Sequence, residues 1–208
     1  YGVNVDIDSQ LMVLNGTREG LFNAVVALCQ TNSNILIPNP FYQVYTVAAM
    51  AIGAQPVYLP ASTKSGFLPD LDTLTSAELN KTSAFFLCSP SNPQGAVASV
   101  DYWTRLIALA ETYDFKIFAD ECYSEIYRRS PPPGALEVSA QMGADPERVV
   151  AFHSLSKRSN LPGLRSGFVA SGPKNIARIK QLRAYAGSPV AGPIQHVSAQ
   201  VWADEDHV

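Results

Sequence analysis

Short apolar runs, separated by turn residues, recur along most of the chain. They have the length of buried strands, and glycine, proline or asparagine often lies beside them. Runs that are apolar throughout are typical of parallel strands, which are buried on both faces of a sheet. The predicted strands cover residues 35–37, 56–59, 84–88, 116–119, 149–152 and 167–170.

Amphipathic stretches lie between several of these runs. One of them places apolar side chains at positions i, i+3, i+4 and i+7, which form one face of an α-helix. Strands that alternate with helices predict an α/β fold with a mostly parallel sheet. The helical faces are formed by Leu21, Val25 and Leu28, by Trp103, Leu106, Ile107 and Ala110, and by Ile176, Ile179, Lys180 and Arg183.

Composition narrows the classes of function. The 208 residues carry 15 Lys plus Arg against 18 Asp plus Glu, and no basic run argues for binding to nucleic acid or to an anionic membrane. The apolar runs are far shorter than the roughly 20 residues of a membrane-spanning helix. Cys29, Cys88 and Cys122 are odd in number and show no CxxC spacing of a metal site, which predicts reduced thiols in a cytoplasmic protein.

Polar residues follow three of the predicted strands directly. Asn92 follows the third strand, Asp120 and Tyr123 the fourth, and Ser154 and Lys157 the fifth. Open α/β sheets bind ligands just outside the carboxyl ends of their strands. We therefore expect these side chains to meet at one edge of the sheet.

Lys157 is a candidate nucleophile. A lysine amine that is partly desolvated has a lowered pKa and attacks aldehydes, although an isolated lysine after a strand is more often an ordinary solvated residue. The neighbours of Lys157 favour the functional interpretation. The hydroxyls of Ser154 and Ser156 and the guanidinium of Arg165 form a set that suits a phosphate group.

Asp120 ends an apolar strand, where a carboxylate is costly unless it meets a cation or hydrogen-bond donors. A helix cap or a structural ion pair is one explanation. A ligand with a protonated ring nitrogen is the other, and the hydroxyl of Tyr123 can reach the same ligand. Asn92 lies in an Asn-Pro-Gln-Gly turn, and a turn role is compatible with a hydrogen bond to a ligand.

Gly16 and Thr17 stand directly before an amphipathic helix. Free amides at a helix N-terminus bind phosphate, and glycine lets the backbone approach closely, although many helices begin with such residues as simple caps. Tyr42 can stack on a flat ring, a role that competes with core packing. A ligand with an aldehyde, a ring nitrogen, a ring hydroxyl and a phosphate satisfies the whole set, and pyridoxal 5′-phosphate is such a ligand.

The motifs at residues 92–95, 120–123, 154–157 and 162–167 resemble those of the fold-type I pyridoxal-phosphate enzymes, specifically the class I/II aminotransferases, over essentially the whole chain. The resemblance implies a three-layer α/β/α sandwich and a ping-pong amino transfer between an amino acid and a 2-oxo acid. It also implies a role for each matching residue. Lys157 resembles the lysine that bonds to the cofactor and moves the substrate proton, and Asp120 resembles the partner of the pyridine nitrogen. Asn92 and Tyr123 resemble the donors to the ring hydroxyl, and Tyr42 resembles the stacking aromatic. The phosphate site is matched by Ser154 and Arg165 with the amides of Gly16 and Thr17.

Three segments, at residues 15–19, 152–168 and 202–208, are similar to those of succinyldiaminopimelate aminotransferases. This resemblance implies N-succinyl-LL-2,6-diaminopimelate and 2-oxoglutarate as substrates, in lysine biosynthesis. Aspartate or broad-specificity aminotransferases remain an alternative. So do a non-catalytic sensor domain of a transcription regulator and another reaction on the same scaffold, such as β-elimination or decarboxylation.

The resemblance also implies parts that these residues do not contain. Family members have an N-terminal segment that closes over the substrate and a C-terminal small domain whose arginine binds the substrate α-carboxylate. They are homodimers that share active-site residues across the interface. We therefore expect residues 1–208 to be a cofactor-binding large domain, from a cytoplasmic homodimer with no nucleic-acid or membrane partner.

Overall fold

Seven strands form one mixed sheet in the computed structural model, which describes residues 2–208. Their order across the sheet is β1-β7-β6-β5-β4-β2-β3. The strands are β1 (Leu11–Leu14), β2 (Asn34–Asn39), β3 (Gln55–Pro60), β4 (Thr82–Cys88), β5 (Lys116–Asp120), β6 (Val149–Ser154) and β7 (Gly167–Ala170).

Helices follow most of these strands. Those expected from periodicity near residues 21–28, 103–110 and 176–183 are present, and shorter ones lie between them. The helices are α1 (Thr17–Leu28), α2 (Gln43–Ala51), α3 (Ser76–Leu79), α4 (Val100–Tyr113), α5 (Ala135–Met142), α6 (Leu155–Arg158), α7 (Pro173–Ala186) and α8 (Gly192–Ala203). Among the described residues, no helix is both long enough and apolar enough to cross a membrane.

The sheet is mostly parallel, as predicted. Strands β2 to β6 pair in parallel, whereas β7 is antiparallel to both β6 and β1. All six predicted strands are present. The additional strand β1 has only four residues with alternating exposure, so it lacks the continuous apolar character of the central strands.

Helices cover both faces of the sheet, which confirms the three-layer arrangement. Neighbouring residues of one strand enter different cores because successive side chains point to opposite faces. Phe86 and Phe118 pack with α1, α2 and α7. Phe85 and Ile117 pack with Trp103 of α4 and with α5 on the other face.

Strand register brings the predicted site residues together. Cys88 at the end of β4 pairs with Asp120 at the end of β5, which pairs with Phe152 of β6. The loops that follow these three strands therefore start at the same edge. The antiparallel β7 begins there too, since Gly167 lies opposite both Ser154 and Leu14. This places the turn after β1 beside the turn before β7.

Candidate active site

A cavity of about 300 Å³ opens at the carboxyl edge of the sheet. Its walls come from the turn after β1 and from the segments after β2, β4, β5 and β6. Gly16 is not among its lining residues but lies against Arg165, which is. The other predicted site residues all line it: Thr17, Tyr42, Asn92, Asp120, Tyr123, Ser154, Ser156, Lys157 and Arg165.

Asp120 forms the floor of the cavity, with 5% of its surface exposed. Its Oδ2 accepts a hydrogen bond of 2.6 Å from the hydroxyl of Tyr45, and its Oδ1 accepts one of 3.4 Å from the amide of Cys122. No basic side chain forms an ion pair with Asp120 in the described part of the chain. The carboxylate is thus held by neutral donors, which suits a cationic ligand atom.

Tyr45 is the residue that sequence reasoning missed here. Its ring is buried and stacks on Phe86 with 4.3 Å between centroids. Burial, followed by the nearby Asp120 carboxylate, raises the pKa of the Tyr45 hydroxyl well above its ordinary value. Tyr45 therefore keeps its proton and donates it in the hydrogen bond to Asp120. The sequence offers one signal for the role of Tyr45: it stands three residues after Tyr42, so both side chains lie on the same side of α2.

Asn92 and Tyr123 form a pair at the wall of the cavity. The amide nitrogen of Asn92 donates a hydrogen bond of 3.1 Å to the Tyr123 hydroxyl. Burial raises the pKa of Tyr123, so the hydroxyl remains protonated near neutral pH. Its own proton is available to a ligand oxygen, because the bond from Asn92 uses it as an acceptor.

Lys157 lies in α6, which begins directly after the fully buried strand β6. The Ser154 hydroxyl starts this helix by accepting a hydrogen bond of 3.1 Å from the Ser156 amide. The Lys157 Nζ lies 5.8 Å from the centroid of the Tyr123 ring, and the described part of the chain offers it no hydrogen bond. Lys157 is exposed rather than partly desolvated as expected, and its amine lines the cavity beside the Tyr123 ring.

The predicted phosphate site is built on the N-terminus of α1. Gly16 precedes this twelve-residue helix with φ of 79°, and no side chain caps the first amides. A Cβ at position 16 would collide with the Arg165 guanidinium. Arg165 donates to the carbonyls of Pro162 at 2.9 Å and Asn15 at 3.3 Å. Free amides, a helix dipole and a guanidinium together favour an anion.

Arg18 and Tyr42 form a second feature of the wall. The Arg18 Nε donates a hydrogen bond of 2.6 Å to the Tyr42 hydroxyl, and its guanidinium lies 5.8 Å from the centre of that ring. The Tyr42 ring packs edge-on against Tyr45 at 5.9 Å. Sequence reasoning assigned no role to Arg18, which adds an exposed positive charge to the cavity.

Two thiols complete the floor. Cys122 Sγ lies 3.2 Å from the Thr17 hydroxyl, and the Cys88 thiol donates to the Pro90 carbonyl at 3.1 Å. Burial raises the pKa of both thiols well above the ordinary value, so they stay neutral. Cys29 is also a free thiol, and burial raises its pKa to about 12.

These residues fit pyridoxal 5′-phosphate. The Lys157 amine would suit the aldehyde, the Asp120 carboxylate the ring nitrogen, and the Tyr123 hydroxyl the ring oxygen. Arg165 and the open end of α1 supply the anion site, and the glycine at position 16 leaves the space that Arg165 occupies. The fold and the cavity define an α/β protein that suits a phosphorylated pyridine aldehyde.

Comparison with known proteins identifies the family. The family model for aminotransferase class I and II matches residues 1–208, and the chain belongs to this family, which depends on pyridoxal phosphate. An LL-diaminopimelate aminotransferase of Syntrophobacter fumaroxidans is 33% identical over 202 residues, which cover 94% of this chain and 50% of that protein.

Solved structures agree with this assignment. An aminotransferase from Neisseria meningitidis superimposes with a TM-score of 0.94 at 38% identity, covering 99% of this chain and 53% of that one. A probable N-succinyldiaminopimelate aminotransferase from Thermus thermophilus superimposes with a TM-score of 0.91 at 26% identity, covering 98% and 54%. The chain spans about half the length of the relatives that it matches.

Proposed function

We propose that this chain is the cofactor-binding domain of a transaminase that uses pyridoxal 5′-phosphate. One observation carries the proposal: the amine of Lys157, on the helix that follows β6, and the buried carboxylate of Asp120, at the end of the neighbouring β5, line one cavity. Arg165 and the turn at Gly16 supply an anion site at the same cavity.

The proposed mechanism assigns one task to each group. The bound cofactor supplies an electron sink for the bonds of the substrate α-carbon. Lys157 would hold the cofactor through its amine, and the same amine would serve as the general base that takes the α-proton of the substrate and gives it up again. Asp120 stabilises a proton on the ring nitrogen, and Tyr45 orients that carboxylate. Tyr123, itself held by Asn92, donates to the ring oxygen.

The remaining groups bind and orient. Thr17, Ser156 and Arg165 take the phosphate with the amides after Gly16. Ser154 contributes mainly through α6, because its hydroxyl accepts from the Ser156 amide and donates to the Ser166 carbonyl at 3.5 Å. In this proposal Tyr42 lies against the cofactor ring.

For the substrates we propose N-succinyl-LL-2,6-diaminopimelate and 2-oxoglutarate. Support comes from relatives named for diaminopimelate and succinyldiaminopimelate. The charge of Arg18 is compatible with these substrates, as it is with other dicarboxylates. Both proposed substrates carry a carboxylate remote from the reacting carbon, and a guanidinium binds a carboxylate with two parallel hydrogen bonds.

Single-turnover measurements test the substrate assignment. The complete protein, loaded with pyridoxal phosphate, is mixed with the succinylated amine, LL-diaminopimelate, aspartate or glutamate, and the absorbance change of the cofactor is followed. The succinylated amine is expected to react fastest. Equal rates with aspartate would support a broad-specificity enzyme instead, and no response to any amine would support a sensor domain.

A variant at position 18 tests the carboxylate contact. Arg18→Gln removes the charge but keeps a donor near Tyr42. We expect KM for 2-oxoglutarate to rise about 10-fold, the size of one charge-assisted hydrogen bond, with little change for pyruvate, which has no second carboxylate. Equal effects on both oxo acids would remove Arg18 from substrate recognition.

The organisation of the complete protein belongs to the same proposal. We propose that residues 1–208 are the large domain of a longer chain that also has an N-terminal segment and a C-terminal small domain, because the relatives are about twice as long. We further propose a homodimer that acts in the cytoplasm, where the free thiols of Cys29, Cys88 and Cys122 stay reduced.

A further inference from the structure

Helix α6 carries two adjacent basic residues with opposite surroundings. Lys157 lines the cavity, whereas Arg158 is 6% exposed and contacts the end of α8. Consecutive residues of a helix point about 100° apart, so one short helix presents both side chains to different parts of the molecule. The surroundings of Arg158 therefore bear directly on where the Lys157 amine lies.

Most acceptors of the Arg158 guanidinium lie in one segment, residues 201–205, and the neighbouring Ser159 hydroxyl accepts a further bond of 3.4 Å. Its Nη1 donates to the carbonyl of Val201 at 3.0 Å, and both terminal nitrogens donate to that of Asp204 at 3.4 Å. Its Nη2 donates to a carboxylate oxygen of Glu205 at 2.6 Å. The guanidinium also lies 5.2 Å from the centre of the Trp202 ring.

The anchoring segment is itself fixed to the sheet. Trp202 packs against Phe168 of β7 at 5.1 Å between centroids, and Phe168 stacks on His153 of β6 at 4.9 Å. His153 in turn pairs with the buried Glu121 at 3.2 Å, directly after Asp120. The contacts of Arg158 thus lead back to the strand ends that carry the site.

Helix α6 depends on the contacts of Arg158 for its position. A four-residue helix is too short to be stable by itself, so tertiary contacts hold it in place. A buried guanidinium is costly unless acceptors surround it, and here they are fixed by α8. Displacement of Arg158 therefore displaces α6.

We propose that Arg158 is a positioning residue for Lys157: it sets the reach of the lysine amine into the cavity by fixing α6 to the end of α8. This inference rests on the proposed function, because it concerns the amine that bonds to the cofactor. It adds a residue that does not line the cavity.

Two phosphorylated pyridines distinguish a positioning role of Arg158 from general damage to the binding site. The Lys157 amine condenses with the aldehyde of pyridoxal 5′-phosphate, forming a C=N bond and releasing one water. Pyridoxine 5′-phosphate has an alcohol in place of the aldehyde, so it occupies the same site without bonding.

Arg158→Lys keeps the charge but cannot span acceptors on three residues. Using the complete cofactor-free protein, we expect the rate of bonding to fall about 10-fold or more, as for a misplaced reacting group.

The affinity for pyridoxine 5′-phosphate is expected to fall by no more than about threefold, since Ser156 is the one proposed phosphate group on α6 and Thr17 and Arg165 lie on other segments. Arg148→Lys is the matched control, because Arg148 lies before β6 and also meets carboxylates, at the far end of the strand. It should change neither quantity. An unchanged bonding rate in Arg158→Lys, or an equal loss of both quantities, would overturn the positioning role.

Glu205→Gln provides a second variant, which is expected to fold because the Glu205 side chain is 72% exposed. It is expected to slow bonding about two- to fivefold, as loss of an ion pair with one exposed partner predicts. If Arg158→Lys fails to fold, an unchanged rate in Glu205→Gln rejects the inference. Absence of any Lys157 adduct in the unaltered protein would instead reject the proposed function, and this inference with it.

Discussion

The two edges of the same sheet use charged residues in opposite ways. At the amino edge, Arg148 pairs with Glu111 at 3.1 Å and with Asp145 at 3.8 Å. Glu147 accepts hydrogen bonds from the first amides of α7, those of Lys174 at 2.9 Å and Asn175 at 2.8 Å. Each of these groups is used by another part of the protein.

At the carboxyl edge, Lys157 and Asp120, which line the cavity, form no ion pair with another described residue. The amine of Lys157 has no hydrogen bond in the described residues, Asp120 is held only by neutral donors, and no side chain caps α1. Lys157 is exposed to solvent, but burial of the Asp120 carboxylate without a counter-ion is costly in a protein that has no ligand for it. This difference between the two edges indicates that function lies at the carboxyl edge, where Lys157 and Asp120 face a cavity rather than counter-ions.

The largest effect is expected from a substitution at the carboxyl edge of the sheet. Asp120→Asn keeps the shape but removes the charge that holds a proton on a facing ring nitrogen. We expect kcat of the complete enzyme to fall about 10²- to 10³-fold, as for loss of a preorganised electrostatic contact. Steady-state kinetics measure this. Glu147→Gln at the amino edge is the control, and a similar fall in kcat there would erase the contrast between the edges.

A smaller effect is expected at the turn after β1. Gly16 and Gly143 both have positive φ, but only at Gly16 would a Cβ meet another residue, the Arg165 guanidinium. Gly16→Ala should raise Kd for pyridoxal phosphate about 10- to 100-fold, the equivalent of one charge-assisted hydrogen bond. Gly143→Ala, which shares only the backbone strain, should leave Kd unchanged in a fluorescence titration. Equal Kd values for the two variants would exclude the Gly16 turn from phosphate binding.

The smallest effect concerns stability at the amino edge. Glu147→Gln replaces one of two acceptors at the start of α7 by a donor, which leaves a buried amide unsatisfied. Urea unfolding should show a loss of about 1–3 kcal/mol with the cofactor Kd unchanged. The matched change Glu111→Gln removes a more exposed partner of Arg148 and should lose less than about 1 kcal/mol. Equal losses would show that burial does not distinguish the two carboxylates.

The fold was largely predictable because its central strands are apolar throughout. Runs such as Phe85–Phe86 are buried on both faces and follow a pattern that sequence alone reveals. The edge strand β1 escaped prediction because only half of its pattern is buried. Helix α6 escaped it too, since a four-residue helix has no periodicity and depends on Arg158 and Ser154 for its place.

The candidate site was predictable where chemistry follows a strand directly, as with Asp120 and Lys157. The supporting contacts were not. The bond from Tyr45 to Asp120 joins residues 75 positions apart, and that from Arg158 to Val201 joins residues 43 apart. Such pairs depend on how helices lie on the sheet, which local sequence does not encode. Residues proposed to touch a ligand were therefore easier to find than the residues that position them.

Trapping of the cofactor on Lys157 tests the central claim most directly. The protein is loaded with pyridoxal 5′-phosphate, reduced with borohydride, digested and analysed by mass spectrometry. The account predicts one modified peptide, with the reduced cofactor on Lys157, and its loss in Lys157→Ala. An unmodified Lys157 in a cofactor-loaded sample, or attachment to another lysine such as Lys116, would contradict it.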